Sequence, residues 1–448
     1  MKKTGLILLF LAMFCTESSA ERQWQVTGRD VPELSSFDTT MKTFMTSRNI
    51  SGGALAVTRN SKLILARGYT YTDDPQDITV QPTSLFRIAS ISKPITAAAI
   101  MRLVQEGRLK LSDKLTNILT LKPPAGQTAD PRLANITVLN LLQHLGGWDS
   151  ANLEGDDIQI AKSLNLLLPI SKSDIMTYMT GQSLKNTPGT TYVYSNYGYL
   201  LLGRIIEKIT GQSYEDYVRQ QILLPLGISQ MRIGRSQREF RQYNEVIYHS
   251  DYTMISVFDN SSRIVPAQYG GRSLENGDSI GSWVASAIDL ARFASMFDSS
   301  SVNPVLNQNS IATMFALPEN MNPAQYKLGD WYYACGWNVR DYGNNYVNTW
   351  HTGGLEGTYA LMVRFASGII NYTVLFNHDD LSGQSNYGDI DTMLKDAFNA
   401  LSVWPPHDLF SEYMITSAGV KGDVNGDSRI SLEDAIYVLQ TVSGLRNP

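Results

Sequence analysis

Cysteine and histidine are scarce in this sequence of 448 residues, and basic residues are not in excess. Each of these features argues against a class of protein. Only two cysteines are present, Cys15 and Cys335, so a disulfide framework cannot hold the chain together. Basic residues are not in excess: 37 Lys and Arg stand against 42 Asp and Glu, which argues against a nucleic-acid partner. Histidines are few, and His249, His378 and His407 lack the paired spacing of a zinc site. We therefore expect a small molecule or a short peptide as the substrate.

Long hydrophobic runs are also missing, since a transmembrane helix needs about 20 apolar residues. The run from Gly5 to Phe14 is half that length and follows two lysines. This pattern predicts a signal peptide over residues 1–20, cleaved near Ala20, and hence a periplasmic or secreted protein without a membrane span. Cys15 leaves with the signal peptide, and Cys335 lies in an apolar segment where a buried, unreactive thiol is expected.

The spacing of apolar residues predicts an α/β sandwich with a lobe inserted into it. Helical spacing is found over residues 34–45 and 390–401. Segments typical of strands lie near both ends of the chain, at 53–57, 63–66, 337–341, 346–350, 359–365 and 372–376. Strands from both ends join most simply into one antiparallel sheet flanked by the terminal helices. The region between them, about residues 94–300, is predicted to form an all-helical lobe.

Pro405-Pro406 marks the predicted end of this main domain, which we place at residues 21–405. A linker over 406–420 and a short tail over 421–448 follow. The tail has the spacing of a calcium loop, with oxygen ligands expected from Asp423, Asn425, Asp427, the Arg429 carbonyl, Ser431 and Asp434.

The tail resembles one dockerin-type or EF-hand-like repeat, and this resemblance makes Ca²⁺ the candidate ion. A full dockerin has two such repeats, and an isolated helix of about 12 residues is marginal in water. The tail is therefore expected to need a partner surface. Docking on the main domain, self-association with another chain and attachment to an extracellular scaffold are all open.

The first candidate site is Ser90-Ile91-Ser92-Lys93, an S-x-x-K sequence that opens an apolar stretch. On a helix, residues three apart are neighbours, so the Lys93 ammonium can approach the Ser90 hydroxyl. Apolar surroundings lower the pKa of a lysine and let it accept a proton. The pair suits a nucleophile and its base, whereas the alternative interpretation is a capped surface helix.

Two further motifs are weak when taken alone. Tyr194-Ser195-Asn196 precedes an apolar helix, but a Y-x-N string also occurs in a predicted hairpin at 342–344. The segment 350–354, Trp-His-Thr-Gly-Gly, lies at the end of one predicted strand and is also typical of a glycine-rich turn. The acidic residues Glu154, Asp156 and Asp157 are predicted to lie in a solvated loop.

In chain order, the three motifs resemble S-x-x-K, S-D-N and K-T-G of serine β-lactamases and penicillin-binding proteins. Tyr194-Ser195-Asn196 stands for S-D-N, and His351-Thr352-Gly353 for K-T-G, as in the class C branch with its DD-peptidases, D-amino-acid peptidases and carboxylesterases. The resemblance covers about residues 28–403 and implies a β-lactamase/DD-peptidase-like fold without a catalytic cofactor. His144 is assigned a structural role by the same resemblance.

The resemblance also implies the roles of the site residues. Ser90 would be the acylated nucleophile, with Lys93 and Tyr194 as its proton-handling partners. Substrate contacts would come from Asn196, His351, Thr352 and Gly353, and the oxyanion hole from the backbone N–H groups of Ser90 and Gly354.

The choice of base stays open on the sequence. A phenol with a pKa of about 10 is no base at neutral pH unless a cation stabilises the phenolate. Lys93 at about 4 Å would lower that pKa by about three units at an effective dielectric near 20, which brings Tyr194 near neutrality. Neutral Lys93 as the base, with Tyr194 as the relay, is equally consistent because coupled groups titrate together.

His351 replaces a lysine of the related motif and loses most of its charge above an ordinary pKa of about 6.5. Recognition of a substrate carboxylate should suffer, so we expect small neutral esters or D-amino-acid amides and peptides as substrates. An exported serine hydrolase of the carboxylesterase or DD-peptidase type is the leading expectation. The alternatives are a β-lactamase proper and a non-catalytic protein that binds peptidoglycan-like peptides or a scaffold.

Overall fold

The computed structural model describes residues 22–149, 156–298, 303–344, 346–365, 368–379 and 386–413. The predicted signal peptide and the predicted calcium tail, with all six of its ligands, lie outside the described residues. The strands in the described part are β1 (Gln25–Thr27), β2 (Gly52–Arg59), β3 (Lys62–Thr70), β4 (Phe86–Arg87), β5 (Arg232–Ile233), β6 (Thr253–Ile255), β7 (Ile264–Pro266), β8 (Trp283–Ala285), β9 (Trp331–Tyr333), β10 (Asn338–Asp341), β11 (Val347–Leu355), β12 (Thr358–Phe365) and β13 (Ile370–Phe376).

The helices in the same residues are mostly short. They are α1 (Ser35–Ser47), α2 (Ser92–Gln105), α3 (Leu115–Ile118), α4 (Val138–Leu142), α5 (Asp157–Leu164), α6 (Lys172–Thr180), α7 (Asn196–Thr210), α8 (Tyr214–Val218), α9 (Asp278–Gly281), α10 (Ala287–Ser295), α11 (Gln308–Phe315) and α12 (Asp389–Asn399). Across these residues, no helix combines the length and the apolar character that crossing a bilayer requires.

One eight-stranded antiparallel sheet joins the two ends of the chain, as the sequence predicts. Its strand order is β1-β3-β2-β13-β12-β11-β10-β9. The N-terminal hairpin meets the C-terminal strands where β2 pairs with β13, from Gly53 opposite Phe376 to Arg59 opposite Ile370. The predicted α/β sandwich is therefore confirmed.

The two faces of the sheet build two separate cores, because side chains alternate along a strand. In β2, Leu55 and Val57 pack towards α1 and α12, whereas Ala54 and Ala56 pack towards the helical lobe. The small alanines on the lobe side leave room for α10, which lies against β2 and β13. The sheet is thus covered on both faces, and the lobe is held on the face that carries the smaller side chains.

The lobe is not all-helical, which corrects the expectation from the sequence. It holds a three-stranded sheet, β4-β8-β5, and the hairpin β6-β7. These strands span only two or three residues each, too few to produce a period of two in the sequence. The small sheet matters for the site because its hydrogen bonding extends one residue beyond β4. There the Ile88 N–H donates to the Trp283 carbonyl at 3.0 Å.

Two predicted boundaries also look different in the structure. The segment His351 to Gly354 lies inside β11 and not in a turn; the chain reverses later, at Gly357, where φ is +76°. Residues 406–413, the start of the predicted linker, pack on the domain: Leu409 is buried in the core, and Asp408 accepts a hydrogen bond from the Leu63 N–H at 3.1 Å.

The core between the sheet and helices α1 and α12 depends on Phe44 of α1. Its ring is fully buried, stacks on Phe376 at 5.4 Å between ring centres, and meets the edge of Tyr387 at 5.8 Å. We predict that Phe44→Ala lowers the free energy of unfolding by about 3–5 kcal/mol because it leaves a cavity between α1 and β13. Denaturant unfolding would measure this, with exposed Thr43→Ala as the control that changes stability by less than about 0.5 kcal/mol. A loss below about 1 kcal/mol for Phe44→Ala would contradict the packing described here.

Candidate active site

Ser90 lies in a tight turn, Ala89–Ile91, that leads directly into α2. Ala89 has a φ of +46°, in the left-handed region, so the chain bends sharply just before the serine. The turn packs against β11 at Gly353, where a Cβ atom would lie 2.1 Å from the Ile88 carbonyl oxygen. Gly353, predicted to bind substrate, therefore has a clear packing reason: it lets β11 approach the turn that presents the nucleophile.

The Ser90 hydroxyl contacts both predicted partners. The Lys93 Nζ atom lies 3.1 Å from Ser90 Oγ, and the Tyr194 hydroxyl lies 2.8 Å from the same atom. Lys93 is fully buried, as the apolar helix around it predicts, whereas Ser90 and Tyr194 are half-buried. The S-x-x-K and Y-x-N motifs, 104 residues apart, thus meet at one oxygen atom.

Three acceptors surround the ammonium of Lys93. Besides Ser90 Oγ, they are Asn196 Oδ1 at 2.9 Å and the main-chain carbonyl of Ile280 at 3.1 Å. Asn196 opens α7 and Ile280 belongs to α9, so the lysine connects three elements. Sequence reasoning found Asn196 but missed Ile280, because any residue type can supply a main-chain carbonyl.

His144 contacts both the ring of Tyr194 and the main chain next to it. Its Nδ1 atom accepts a hydrogen bond from the Ser195 N–H at 3.0 Å, and its ring lies 4.3 Å from the Tyr194 ring. Burial, followed by the positive charge of Lys93, holds the pKa of His144 well below its ordinary value, so the ring is neutral. The structural role expected for His144 thus takes a definite form: it fixes the chain on which Tyr194 and Asn196 stand.

His351 is buried, and this corrects the expectation of an ordinary pKa. Its Nδ1–H donates to the Thr352 carbonyl at 2.6 Å, and its Nε2 accepts from the Tyr333 hydroxyl at 3.1 Å. Burial, with a further contribution from the charge of Lys93, lowers the pKa of His351 to about 3. The imidazole therefore carries no charge at neutral or mildly acidic pH.

An open cleft brings most of the predicted residues together. It is lined by Ser90, Tyr194, His351, Thr352 and Gly354, and by three residues that the sequence did not indicate, namely Tyr192, Tyr333 and Asn338. Gly354 faces open space, since a Cβ atom there would meet nothing within 4 Å. Asn196 lies outside this lining and borders a second pocket, which Ile280 and Gly281 also line.

Two further predictions, for Cys335 and Asp157, can be compared with the structure. Cys335 is fully buried, and burial raises the pKa of its thiol to about 12, so a reactive thiolate is disfavoured as predicted. Asp157 is also buried, at the start of α5, which shows that the prediction of a solvated loop was wrong for this residue. In the part of the chain that the structure describes, no cluster of three His, Cys, Asp or Glu side chains is placed to hold a metal ion.

Known proteins are similar to this chain in sequence and in fold. The sequence profile of the beta-lactamase family matches residues 37–386. Protein flp of Staphylococcus aureus is 32% identical over 189 residues, which are 42% of this chain and 36% of flp. The chain thus matches about a third of the length of that relative.

Two solved structures are similar in fold. A penicillin-binding protein homologue from Pyrococcus abyssi, described as octameric, superposes with a TM-score of 0.61 at 23% identity, over 82% of this chain and 77% of its own. D-amino acid amidase from Ochrobactrum anthropi superposes with a TM-score of 0.61 at 20% identity, over 81% of this chain and 99% of its own. The fold is therefore that of the β-lactamases and DD-peptidases.

Because the profile covers most of the chain, the protein belongs to the beta-lactamase family of serine hydrolases.

The buried position of His351 predicts that it does not titrate between pH 5 and 8. In spectra of protein with ¹⁵N-labelled histidine, we expect its two ring-nitrogen signals to stay constant over this range, with the proton on Nδ1. His351→Asn assigns the signals by removing them. A titration midpoint near 6.5 would contradict the geometry.

The lowered pKa of His351 also determines how the stability of the protein depends on pH. An unfolded chain binds the His351 proton below about pH 6.5, whereas the native ring stays neutral down to about 3. The contribution of this residue to stability is therefore complete above pH 6.5 and is lost progressively as the pH falls towards 3.

Proposed function

We propose that this protein forms an acyl-enzyme at Ser90 and hydrolyses small neutral esters or D-amino-acid amides. The observation that carries the proposal is the simultaneous contact of Lys93 and Tyr194 with the Ser90 hydroxyl at the floor of an open cleft. A serine becomes a nucleophile when a positioned base takes its proton. The Ser90 oxygen would attack the substrate carbonyl, and water would later release the acyl group.

The surroundings of Lys93 suit both of its protonation states. A charged ammonium has three protons, and Ser90, Asn196 and Ile280 supply three acceptors. A neutral amine would donate to Asn196 and Ile280 and accept the Ser90 proton. The transfer of that proton thus needs no rearrangement of the other two hydrogen bonds, which favours Lys93 and Tyr194 as one proton-handling pair.

Tyr194 is placed to pass a proton onward. Its hydroxyl is 2.8 Å from Ser90 Oγ and lines the cleft, so it reaches both the nucleophile and the space for a leaving group. His144 holds its ring in place. Backbone N–H groups of Ser90 and Gly354 would stabilise the oxyanion, and a donor of this kind is typically worth about 10²- to 10³-fold in rate.

Neutral His351 supports the choice of neutral substrates. In the K-T-G form of the motif a lysine carries a charge at this position, whereas the pKa of His351 is lowered to about 3. A site without that charge has less attraction for a substrate carboxylate. The similar fold of D-amino acid amidase supports amides beside esters as the substrate class.

Two further parts of the proposal concern residues outside the described ranges. We propose that residues 1–20 direct export, with cleavage near Ala20, and that the tail over 421–448 binds Ca²⁺ and mediates attachment or self-association. The sequence patterns given above support both.

Intact-protein mass spectrometry after exposure to a fluorophosphonate tests the acylation site. We predict one adduct on the wild type and none on Ser90→Ala. The matched control is Ser92→Ala, which removes the second serine of the same motif; its hydroxyl contacts the Trp283 N–H at 3.3 Å and lies outside the cleft. This variant should still be labelled.

A parallel exposure to a penicillin separates the substrate classes. Labelling by the fluorophosphonate alone supports the ester and amide hydrolase proposed here, and a Ser90-dependent adduct with both reagents favours a DD-peptidase or a β-lactamase. A folded wild type that gives no adduct with either reagent would overturn the proposal in favour of a binding protein.

A further inference from the structure

The Ile280 carbonyl, one of the three acceptors of the Lys93 ammonium, belongs to α9, a helix of only four residues. The last four carbonyls of a helix have no intrahelical partner, so this oxygen can accept from outside the helix. So short a helix has little stability of its own, because helix formation needs a costly nucleus. Contacts from other elements must therefore hold the carbonyl in its position beside Lys93.

Asp278, the first residue of α9, makes two of these contacts. Its Oδ2 atom accepts from the Arg204 guanidinium of α7 at 2.7 Å and from the Lys172 ammonium of α6 at 2.5 Å. Asp278 is 5% exposed and Arg204 is 8% exposed, so dissolved ions screen their attraction little. Hydrogen bonds between charged groups are roughly twice as strong as neutral ones. The carboxylate thus joins the start of α9 firmly to α6 and α7.

The other oxygen of Asp278 orients the turn itself. Its Oδ1 atom accepts from the Ser279 N–H at 2.7 Å. The Ser279 hydroxyl donates to the Tyr199 carbonyl of α7 at 2.9 Å, and the Ser279 carbonyl accepts from the Thr96 hydroxyl of α2 at 2.8 Å. The carboxylate therefore orients a residue that is fixed on both α2 and α7.

Arg204 stands on the same helix as Asn196, which is another acceptor of the Lys93 ammonium. The two residues are about two turns apart on α7. The ion pair of Arg204 with Asp278 therefore connects the helix that presents one acceptor with the helix that presents the other. A shift of α9 away from α7 would break the hydrogen bond to Ile280 and leave the one to Asn196.

We propose that Asp278 is a positioning residue, whose ion pairs hold the Ile280 carbonyl against Lys93. Asp278 does not line the open cleft, so it acts through the carbonyl and not on the substrate. The consequence for catalysis rests on the proposed function. A fixed carbonyl stabilises the charged form of Lys93, which the proposed mechanism needs once the Ser90 proton has moved.

Carbonyl NMR tests the hydrogen bond directly. With ¹³C-carbonyl isoleucine and ¹⁵N-glycine, a spectrum that correlates each carbonyl with the next N–H contains only Ile-Gly pairs, and the sequence has two, at 233–234 and 280–281. Ile233→Val assigns the two signals by removing one of them. We expect Lys93→Met to displace the Ile280 signal because the donor is lost. An Ile280 signal that does not respond to Lys93→Met would overturn the inference.

Asp278→Asn should displace the Ile280 signal in the same direction, because a neutral amide no longer holds the cations of α6 and α7. Added to Lys93→Met, it should have a much smaller effect, since the hydrogen bond is already absent. Asp289→Asn is the matched control: it removes a carboxylate near the start of α10 that accepts from the Ser286 N–H at 3.2 Å, and should leave the signal in place. The inference is wrong if a folded Asp278→Asn leaves the signal unchanged, or displaces it equally with and without Lys93.

A second variant decides the matter if Asp278→Asn does not fold. Lys172→Met removes one of the two cations, and it is the milder change because the Lys172 side chain is 29% exposed. A displaced Ile280 signal in Lys172→Met would then support the inference, and an unchanged signal would contradict it.

The rate of Ser90 labelling by a fluorophosphonate tests the consequence for catalysis. We expect the second-order rate constant to fall about tenfold in Asp278→Asn and to stay within about twofold in Asp289→Asn, since only the first change removes a hydrogen bond to a charged group of the site. An unchanged rate in a folded Asp278→Asn whose Ile280 signal moves would refute the catalytic role.

The failure of either proposal can be told from the failure of the other. A wild type that is labelled at Ser90, with an Ile280 signal that ignores Asp278→Asn, would keep the hydrolase and remove Asp278 from its machinery. An Ile280 signal that depends on Asp278, in a protein that is never labelled at Ser90, would refute the hydrolase and leave the contact as a structural one.

Discussion

The burial of the Lys93 ammonium is the constraint on which the rest of the site depends. Removing a charged group from water is costly unless hydrogen bonds replace those that are lost. The fold supplies them from the turn before α2, from α7 and from α9. The same arrangement sets the electrostatics, because the charge of Lys93 contributes to the lowered pKa values of His144 and His351. One buried cation thus organises the nucleophile, its neighbours and the neutral character of the cleft.

The sheet provides the rigid side of this arrangement. β11 carries His351, Thr352 and Gly354 past Ser90, and the missing side chain of Gly353 lets the strand lie against the Ile88 carbonyl. The lobe provides the other side through Tyr194 and Asn196. The cleft therefore lies between the two layers, and a substrate would contact both.

Much of this was predictable from the sequence, and the exceptions have physical reasons. Ser90, Lys93 and Tyr194 were found because side-chain chemistry leaves a motif, and the long strands were found because apolar runs bounded by glycine-containing turns are visible in the sequence. Ile280 acts through a carbonyl, which no residue type encodes. The pKa of His351 and the burial of Asp157 depend on tertiary packing. The short strands of the lobe are too brief to show a period, so the lobe was predicted to be all-helical.

The rate of Ser90 phosphonylation in Lys93→Met tests the central claim most directly. Methionine keeps an unbranched side chain in the buried space but can neither accept a proton nor donate one. If Lys93 activates Ser90, the second-order rate constant for fluorophosphonate labelling should fall by about 10²- to 10⁴-fold, the usual contribution of a general base, in a variant that still unfolds cooperatively. Labelling of folded Lys93→Met at the rate of the wild type would contradict the account.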